Sequence, residues 1–260
     1  MRSTALTRLL EERLEPLLQD VVVSFDLAGL AIGVVQGEAL IYAKGFGVRN
    51  LETREPVTAA SLFHLASVSK VFVATGIMQL VEQGELELDA PVAGYLPHFT
   101  LRDERYRAIT VQQMLSHVSG MPDADDYHWD QPDYDDGALE RYVRSLADET
   151  LLFAPGERFA YSNIAYEVLG DLIATVSGQS FESYMQAHVL RPVEMHTSTY
   201  LKEQVAPALA TAHLDANDRA DDRAECNLSL PSLPHPELKP AFQRDRIGEL
   251  GDCQPEARRV

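Results

Sequence analysis

The chain has 260 residues, of which 45% are hydrophobic, and sets 22 Lys and Arg against 40 Asp and Glu for a net charge of −18. This describes one ordinary globular domain, or at most two small ones, with enough apolar material for a core, and it excludes disordered, collagenous and coiled-coil chains. A field of that sign repels phosphate backbones and anionic lipid, so nucleic acid and membrane surfaces are poor partners.

In chain order, Met1 to Asp20 spaces Leu6, Leu9, Leu10, Leu14, Leu17 and Leu18 among charged residues, which predicts an amphipathic helix and not a secretory leader. The apolar stretch Val21 to Val35 is broken by Ser24, Asp26 and Gly29, and no window reaches the roughly 20 apolar residues of a membrane span. The expectation is a cytoplasmic protein. Leu30 to Gln36 and Ala39 to Arg49 are β-rich runs around a turn at Gly37, predicting a hairpin. Val68 to Gln83 reads as a helix with Val71, Phe72, Met78 and Val81 among its apolar positions and Gly84 to stop it. Further helices are predicted at Val111 to Leu115, Gly137 to Leu146, Asn163 to Val176 and Phe181 to Val189. Pro155-Gly156 and Ser177-Gly178 punctuate them. From about Leu214 the chain loses both periodicities and gathers prolines, predicting a weakly structured tail. The two cysteines, Cys226 and Cys253, both lie in it, which argues against a disulfide framework or a thiolate zinc site.

Ser67-Val68-Ser69-Lys70 opens the predicted helix. Residues i and i+3 share a helix face, so Lys70 can bring its amine to the Ser67 hydroxyl while the positive end of the helix dipole favours a developing alkoxide. A serine needs such a partner to attack, and apolar neighbours, here Leu65, Ala66, Val68, Val71 and Phe72, would favour a basic lysine. Taken alone, the pair also fits a helix N-cap serine beside a solvent-facing lysine. Tyr161-Ser162-Asn163 follows Pro155-Gly156. A turn there could supply a phenol as proton relay and an amide to hold the lysine and a substrate. The same residues also suit a packed tyrosine followed by an Asn N-cap.

The stretches LFHLASVSKVFVATGIMQLVEQGELELDAPVAGYLP, ITVQQMLSHVSGMP and FAPGERFAYSNIAYEVLGDLIATVSGQSFESYMQAHVLRPVEM resemble the serine beta-lactamase and penicillin-binding-protein superfamily, nearest the class C beta-lactamase and esterase branch. The resemblance covers roughly residues 5 to 215. It implies an α+β beta-lactamase-like fold, an antiparallel sheet with flanking helices plus an all-helical domain, with the site between them. It divides the chain into 1–58 (helix and hairpin of the sheet domain), 59–215 (mainly helical, with the catalytic motifs) and 216–260 (a tail outside the family). It implies that Ser67 is the acyl-accepting nucleophile, Lys70 its activating partner and Tyr161 the base working with Lys70. Asn163 would steady the lysine and contact substrate, and the Ser67 backbone N–H would be one of two oxyanion donors. The substrate would be a small-molecule ester or amide, esters foremost.

The family's third motif, Lys-Thr-Gly or His-x-Gly on a later strand, is missing. After Asn163 the glycines are Gly170, Gly178, Gly248 and Gly251, with Val168, Val176, Arg246 and Glu249 two positions earlier. No second oxyanion donor is found, and the sheet is expected to be incomplete, as in a truncated or frame-shifted member. The alternative function is therefore a catalytically impaired remnant or binding module of the same fold. His117 is expected to be structural, since no Gly-x-Ser-x-Gly elbow accompanies it. Asp123, Asp125, Asp126, Asp130, Asp133, Asp135 and Asp136 lack EF-hand spacing and read as a solvated acidic loop, with Tyr127, Trp129 and Tyr134 shaping access. Zincin, P-loop and dinucleotide patterns are absent, so neither a metal nor another cofactor is expected.

Overall fold

A computed structural model describes residues 2–124, 133, 135–201 and 210. Helix α1 runs Arg2–Ser24, four residues beyond its predicted end. The Val21 to Val23 run stays helical until Asp26, in the left-handed region at φ 50°, turns the chain. There Phe25 N–H donates to the Val21 carbonyl and Leu27 N–H to Val22 (3.0 and 2.9 Å), closing the helix end. Strands β1 (Gly29–Gln36) and β2 (Ala39–Gly47) pair antiparallel, from Gly29 opposite Gly47 to Gln36 opposite Ala39, with a bulge at Val34/Val35. Strand β2 stops two residues short of the predicted Arg49. Gly47 takes φ 69°, and a Cβ there would lie 2.3 Å from the Ala28 carbonyl oxygen, so the close crossing of the two strand ends needs glycine. Helix α1 is tied to β2 through Glu15, which accepts from Lys44 Nζ (2.5 Å) and Tyr42 Oη (3.1 Å). Among the described residues the sheet has these two strands.

Beyond the hairpin the described residues form a 3₁₀ turn at Ala66–Val68, then the helices α2 (Ser69–Glu82), α3 (Val92–Tyr95), α4 (Val111–Leu115), α5 (Ala138–Ser145), α6 (Asn163–Ser177) and α7 (Phe181–Tyr184), joined by loops. Helix α6 lies at the centre, with Ile164, Ala165, Val168, Leu169, Leu172 and Ile173 all buried. It packs against α2, α4, α5 and α7. Helix α2 turns Val73, Ile77 and Leu80 inward, the i, i+4, i+7 face. Val71 and Met78, read from the sequence as apolar positions of this helix, face solvent instead. Between α2 and α6 the approach is close at Gly76, where a Cβ would lie 3.1 Å from Ile173 Cδ1. The predicted helix from Phe181 to Val189 is α-helical only to Tyr184 and continues as a π-turn over Met185–Leu190. The wider turn carries Met185, Val189 and Leu190 together into the core. A buried Asp171 on α6 meets His98 (2.6 Å), and burial pushes its carboxyl up despite that partner. No helix among the described residues is long and apolar enough to cross a membrane.

Candidate active site

The site begins at a strained residue. Ala66 has φ 44°, a conformation that costs an L-residue about 1 kcal/mol and recurs at functional sites. It kinks the chain into the 3₁₀ turn so that Ser67 stands at the N-terminal approach to α2, where helix N–H groups lack intrahelical partners. Ser69 Oγ donates back to the Ala66 carbonyl (2.6 Å), and Tyr200 Oη to the Ser69 carbonyl (3.2 Å), pinning the turn.

Around the Ser67 hydroxyl the four residues singled out in the sequence converge. Ser67 Oγ lies 2.5 Å from Tyr161 Oη and accepts from Lys70 Nζ at 3.3 Å. Lys70 also donates to Asn163 Oδ1 at 2.5 Å. Its amine sits over the faces of Tyr161 and Tyr166, 4.9 and 5.5 Å from the ring centroids. No side-chain cap bond is made at the start of α2, so Ser67 is not an N-cap serine, and Lys70 is half-buried. Asn163 is not the cap of α6 either: Ser162 is, its Oγ accepting from Ala165 N–H (3.1 Å).

Of the apolar flank expected around the lysine, Ala66 lines the same cavity as Lys70 and the rest turns elsewhere. Leu65, Val68 and Val71 are 46, 57 and 66% exposed, and Phe72 packs toward the core. Positions 67 and 70 share the face that turns toward α6, and 68 and 71 are rotated away from it. Aromatic rings and an amide surround the amine instead.

The Tyr161-Ser162-Asn163 turn is shaped by the loop from His117 to Asp123. Ala160 N–H donates to the His117 carbonyl (2.9 Å), and Ser162 N–H to His117 Nδ1 (3.2 Å). The buried Ser162 hydroxyl donates to the Pro122 carbonyl (2.7 Å). Asn163 gives its backbone N–H to Asp123 Oδ1 (2.9 Å) and its Nδ2 to Asp123 Oδ2 (3.2 Å). The His117 ring lies 4.5 Å from that of Tyr161 at 31°, and 5.1 Å from that of Tyr166. Burial, reinforced by the Lys70 charge, pulls the His117 imidazole below its ordinary value against a pull upward from Asp123. Beside these groups a cavity of about 440 Å³ is lined by Ser67, Lys70 and Asn163 and by the apolar Val73, Leu139 and Phe181. Glu167 borders it too, its carboxyl pushed up by burial. A larger cavity of about 530 Å³ beyond Ala66, bounded by Leu62, Phe72 and Met195, does not include Ser67.

A family profile described as Beta-lactamase matches residues 7–232. The chain belongs to the beta-lactamase family. Among relatives, penicillin-binding protein 4 of Amycolatopsis lactamdurans is 36% identical over 189 residues, covering 72% of this chain and 48% of that protein. Protein flp of Staphylococcus aureus (strain MW2) is 29% identical over 187 residues, 70% of this chain and 37% of its own. The chain thus spans less than half the length of these relatives. Among solved structures, the octameric penicillin-binding protein homologue from Pyrococcus abyssi superposes with TM-score 0.68 at 32% identity, over 79% of this chain and 48% of that one. EstCE1, a hydrolase with promiscuous acyltransferase activity, superposes with TM-score 0.68 at 27% identity, over 81% and 58%. The fold is beta-lactamase-like, a mixture of helix and strand, and the family match extends past residue 215 into the stretch the sequence reading left outside it.

For this beta-lactamase family member, sequence reasoning missed Asp123, which it placed in a solvated acidic run. Of that run, Asp133 and Asp135 pair with Arg141. Asp125, Asp126 and Asp130, with Tyr127, Trp129 and Tyr134, lie outside the described residues. Val168 and Val176 are both inside α6, so Gly170 and Gly178 belong to no strand motif. Arg246 to Gly251 lies outside the described residues, and no second oxyanion donor is identified among those described. No group of His, Cys, Asp and Glu among the described residues could hold a metal.

Proposed function

We propose that this protein is a cofactor-independent serine hydrolase that is acylated on Ser67 by a small ester, or an amide, and then hydrolyses the acyl-enzyme. The observation that carries the reading is the Ser67 hydroxyl held between Tyr161 Oη at 2.5 Å and Lys70 Nζ at 3.3 Å. In acylation Ser67 Oγ attacks the carbonyl carbon and its proton passes to the Tyr161–Lys70 pair. The oxyanion forms against the Ser67 backbone N–H. As the bond to the leaving group breaks, the same pair returns the proton to it. Water then attacks the acyl-enzyme, gives up a proton to the pair, and Ser67 departs as the free hydroxyl. Asn163 holds the lysine in place and contacts the substrate. The apolar end of the 440 Å³ cavity suits a compact acyl group, and the likeness to EstCE1, a hydrolase with promiscuous acyltransferase activity, supports hydrolysis through an acyl-enzyme.

The test is intact-mass labelling of the folded chain with a serine-directed fluorophosphonate beside Ser67→Ala. One adduct, lost in the variant, is expected; an adduct or full turnover retained by Ser67→Ala overturns the assignment. A second reading, a binding module of the same fold, is favoured by the two-stranded sheet and the single identified oxyanion donor among the described residues. Absence of any adduct on a folded sample selects it.

A further inference from the structure

Asp123 and Lys70 address opposite ends of one amide. Both oxygens of the Asp123 carboxylate are used on Asn163, Oδ1 by the backbone N–H (2.9 Å) and Oδ2 by Nδ2 (3.2 Å). On the far side, Asn163 Oδ1 accepts from Lys70 Nζ (2.5 Å). An ionised carboxylate only accepts, and Lys70 Nζ donates to the amide, so one orientation of the Asn163 amide satisfies both neighbours. Turned over, it would set carbonyl oxygen against carboxylate and NH₂ against the donating lysine, two mismatches in place of two hydrogen bonds.

We propose that Asp123 is a positioning residue, which fixes the Asn163 amide with its carbonyl toward Lys70 and thereby holds the lysine amine on Ser67. The inference rests on the serine-hydrolase reading above for its consequence in catalysis, and on the three hydrogen bonds for its geometry. Asp123 acts through Asn163, the residue to which both of its carboxylate oxygens are bonded. The location supports this. Asp123 ends the same loop that fixes Ala160 and Ser162, so the carboxylate is delivered by a segment already held at His117 and Pro122.

The discriminating variant is Asp123→Asn. It keeps the size of the side chain and one oxygen for the Asn163 backbone N–H, so α6 still starts at the same place. It also sets an NH₂ against Asn163 Nδ2, donor facing donor. The Asn163 amide then turns over and presents its own NH₂ to Lys70, which loses its acceptor and its hold on Ser67. The expected result is a fall of about tenfold or more in the rate of Ser67 labelling by a fluorophosphonate. The same substitution made on top of Asn163→Ala should change that rate by less than about twofold, because the amide through which Asp123 acts is gone. Wild-type labelling by Asp123→Asn overturns the proposal. So does an equal loss in the presence and absence of Asn163, which would mark a purely structural role.

A second readout does not depend on activity. The side-chain amide protons of Asn163, assigned by their disappearance in Asn163→Ala, should be slow to exchange in the wild-type chain and fast in Asp123→Asn. If the wild type gives no adduct, the serine-hydrolase reading fails and the exchange measurement still decides. Protection lost in Asp123→Asn supports the clamp, and unchanged exchange overturns it.

Discussion

Ser162 donates its backbone N–H to Nδ1 of His117 at 3.2 Å, so the turn that carries Tyr161 depends on an imidazole that is unprotonated at that nitrogen. The folded environment favours this state: burial and the Lys70 charge both pull the His117 value below the ordinary one of about 6.5, outweighing Asp123. Above that value neither the folded nor the unfolded chain holds the proton, and the contribution to stability is constant. As pH falls below it, the unfolded chain binds a proton that the folded chain does not, and stability drops until the lower folded value is passed. His117→Asn tests this. Asparagine tolerates the φ of 57° found there and can offer Oδ1 to Ser162 without titrating. Denaturant unfolding at pH 7.5 and pH 5.5 should show a smaller acid loss in the variant than in the wild type; equal losses would remove His117 as the sensing group.

The phenol of Tyr161 can be separated from its ring. The residue is 42% exposed, its ring stacked on His117 and under the Lys70 amine, while only the hydroxyl meets Ser67. Tyr161→Phe keeps the stacking surface and deletes the proton relay. Fluorophosphonate labelling of Ser67 should slow by roughly 10² to 10⁴, with a melting temperature close to that of the wild type. Wild-type labelling by the phenylalanine variant would leave Lys70 as the sole base.

These two sites differ in how far the sequence disclosed them. The Ser67–Lys70 pair is legible from helix geometry alone, because i and i+3 share a face whatever surrounds them. Tyr161 and Asn163 lie more than ninety residues away, and only resemblance connected them to Ser67. Asp123 and His117 carry no local signature, since they act through hydrogen bonds from an irregular loop to the backbone of another turn, which neither periodicity nor composition records. The left-handed φ of Ala66 is equally silent, for nothing in the residue type announces it. Most of the apolar surroundings expected for Lys70 failed for a related reason: neighbours in sequence are not neighbours on the helix face. Element ends slipped where tertiary contact overrode local preference, at the C-terminus of α1 and in the π-turn after Tyr184.

The loop that shapes the site depends on one glycine. Gly120 takes φ 78°, and a Cβ there would fall 2.4 Å from the Phe153 carbonyl oxygen, a backbone atom that side-chain rotation cannot move. Its own carbonyl accepts from Leu152 N–H (2.9 Å), and Val118 O accepts from Gly156 N–H (2.7 Å), so 118–120 and 152–156 are laced together. Gly120→Ala combines left-handed strain with a forced separation of these two stretches and should cost about 2 to 4 kcal/mol. The displacement also carries His117, Pro122 and Asp123 away from residues 160–163. Labelling of Ser67 should therefore fall even in samples that remain folded. Gly84→Ala is the control: φ is also 78°, but no atom lies within 4 Å of the added Cβ. It should cost only the backbone strain, about 1 kcal/mol, and label at the wild-type rate. Urea unfolding and adduct formation measured on both variants separate the two effects. Equal stability losses, or a Gly120→Ala protein that labels normally, would mean that the close approach at Phe153 does not set the loop.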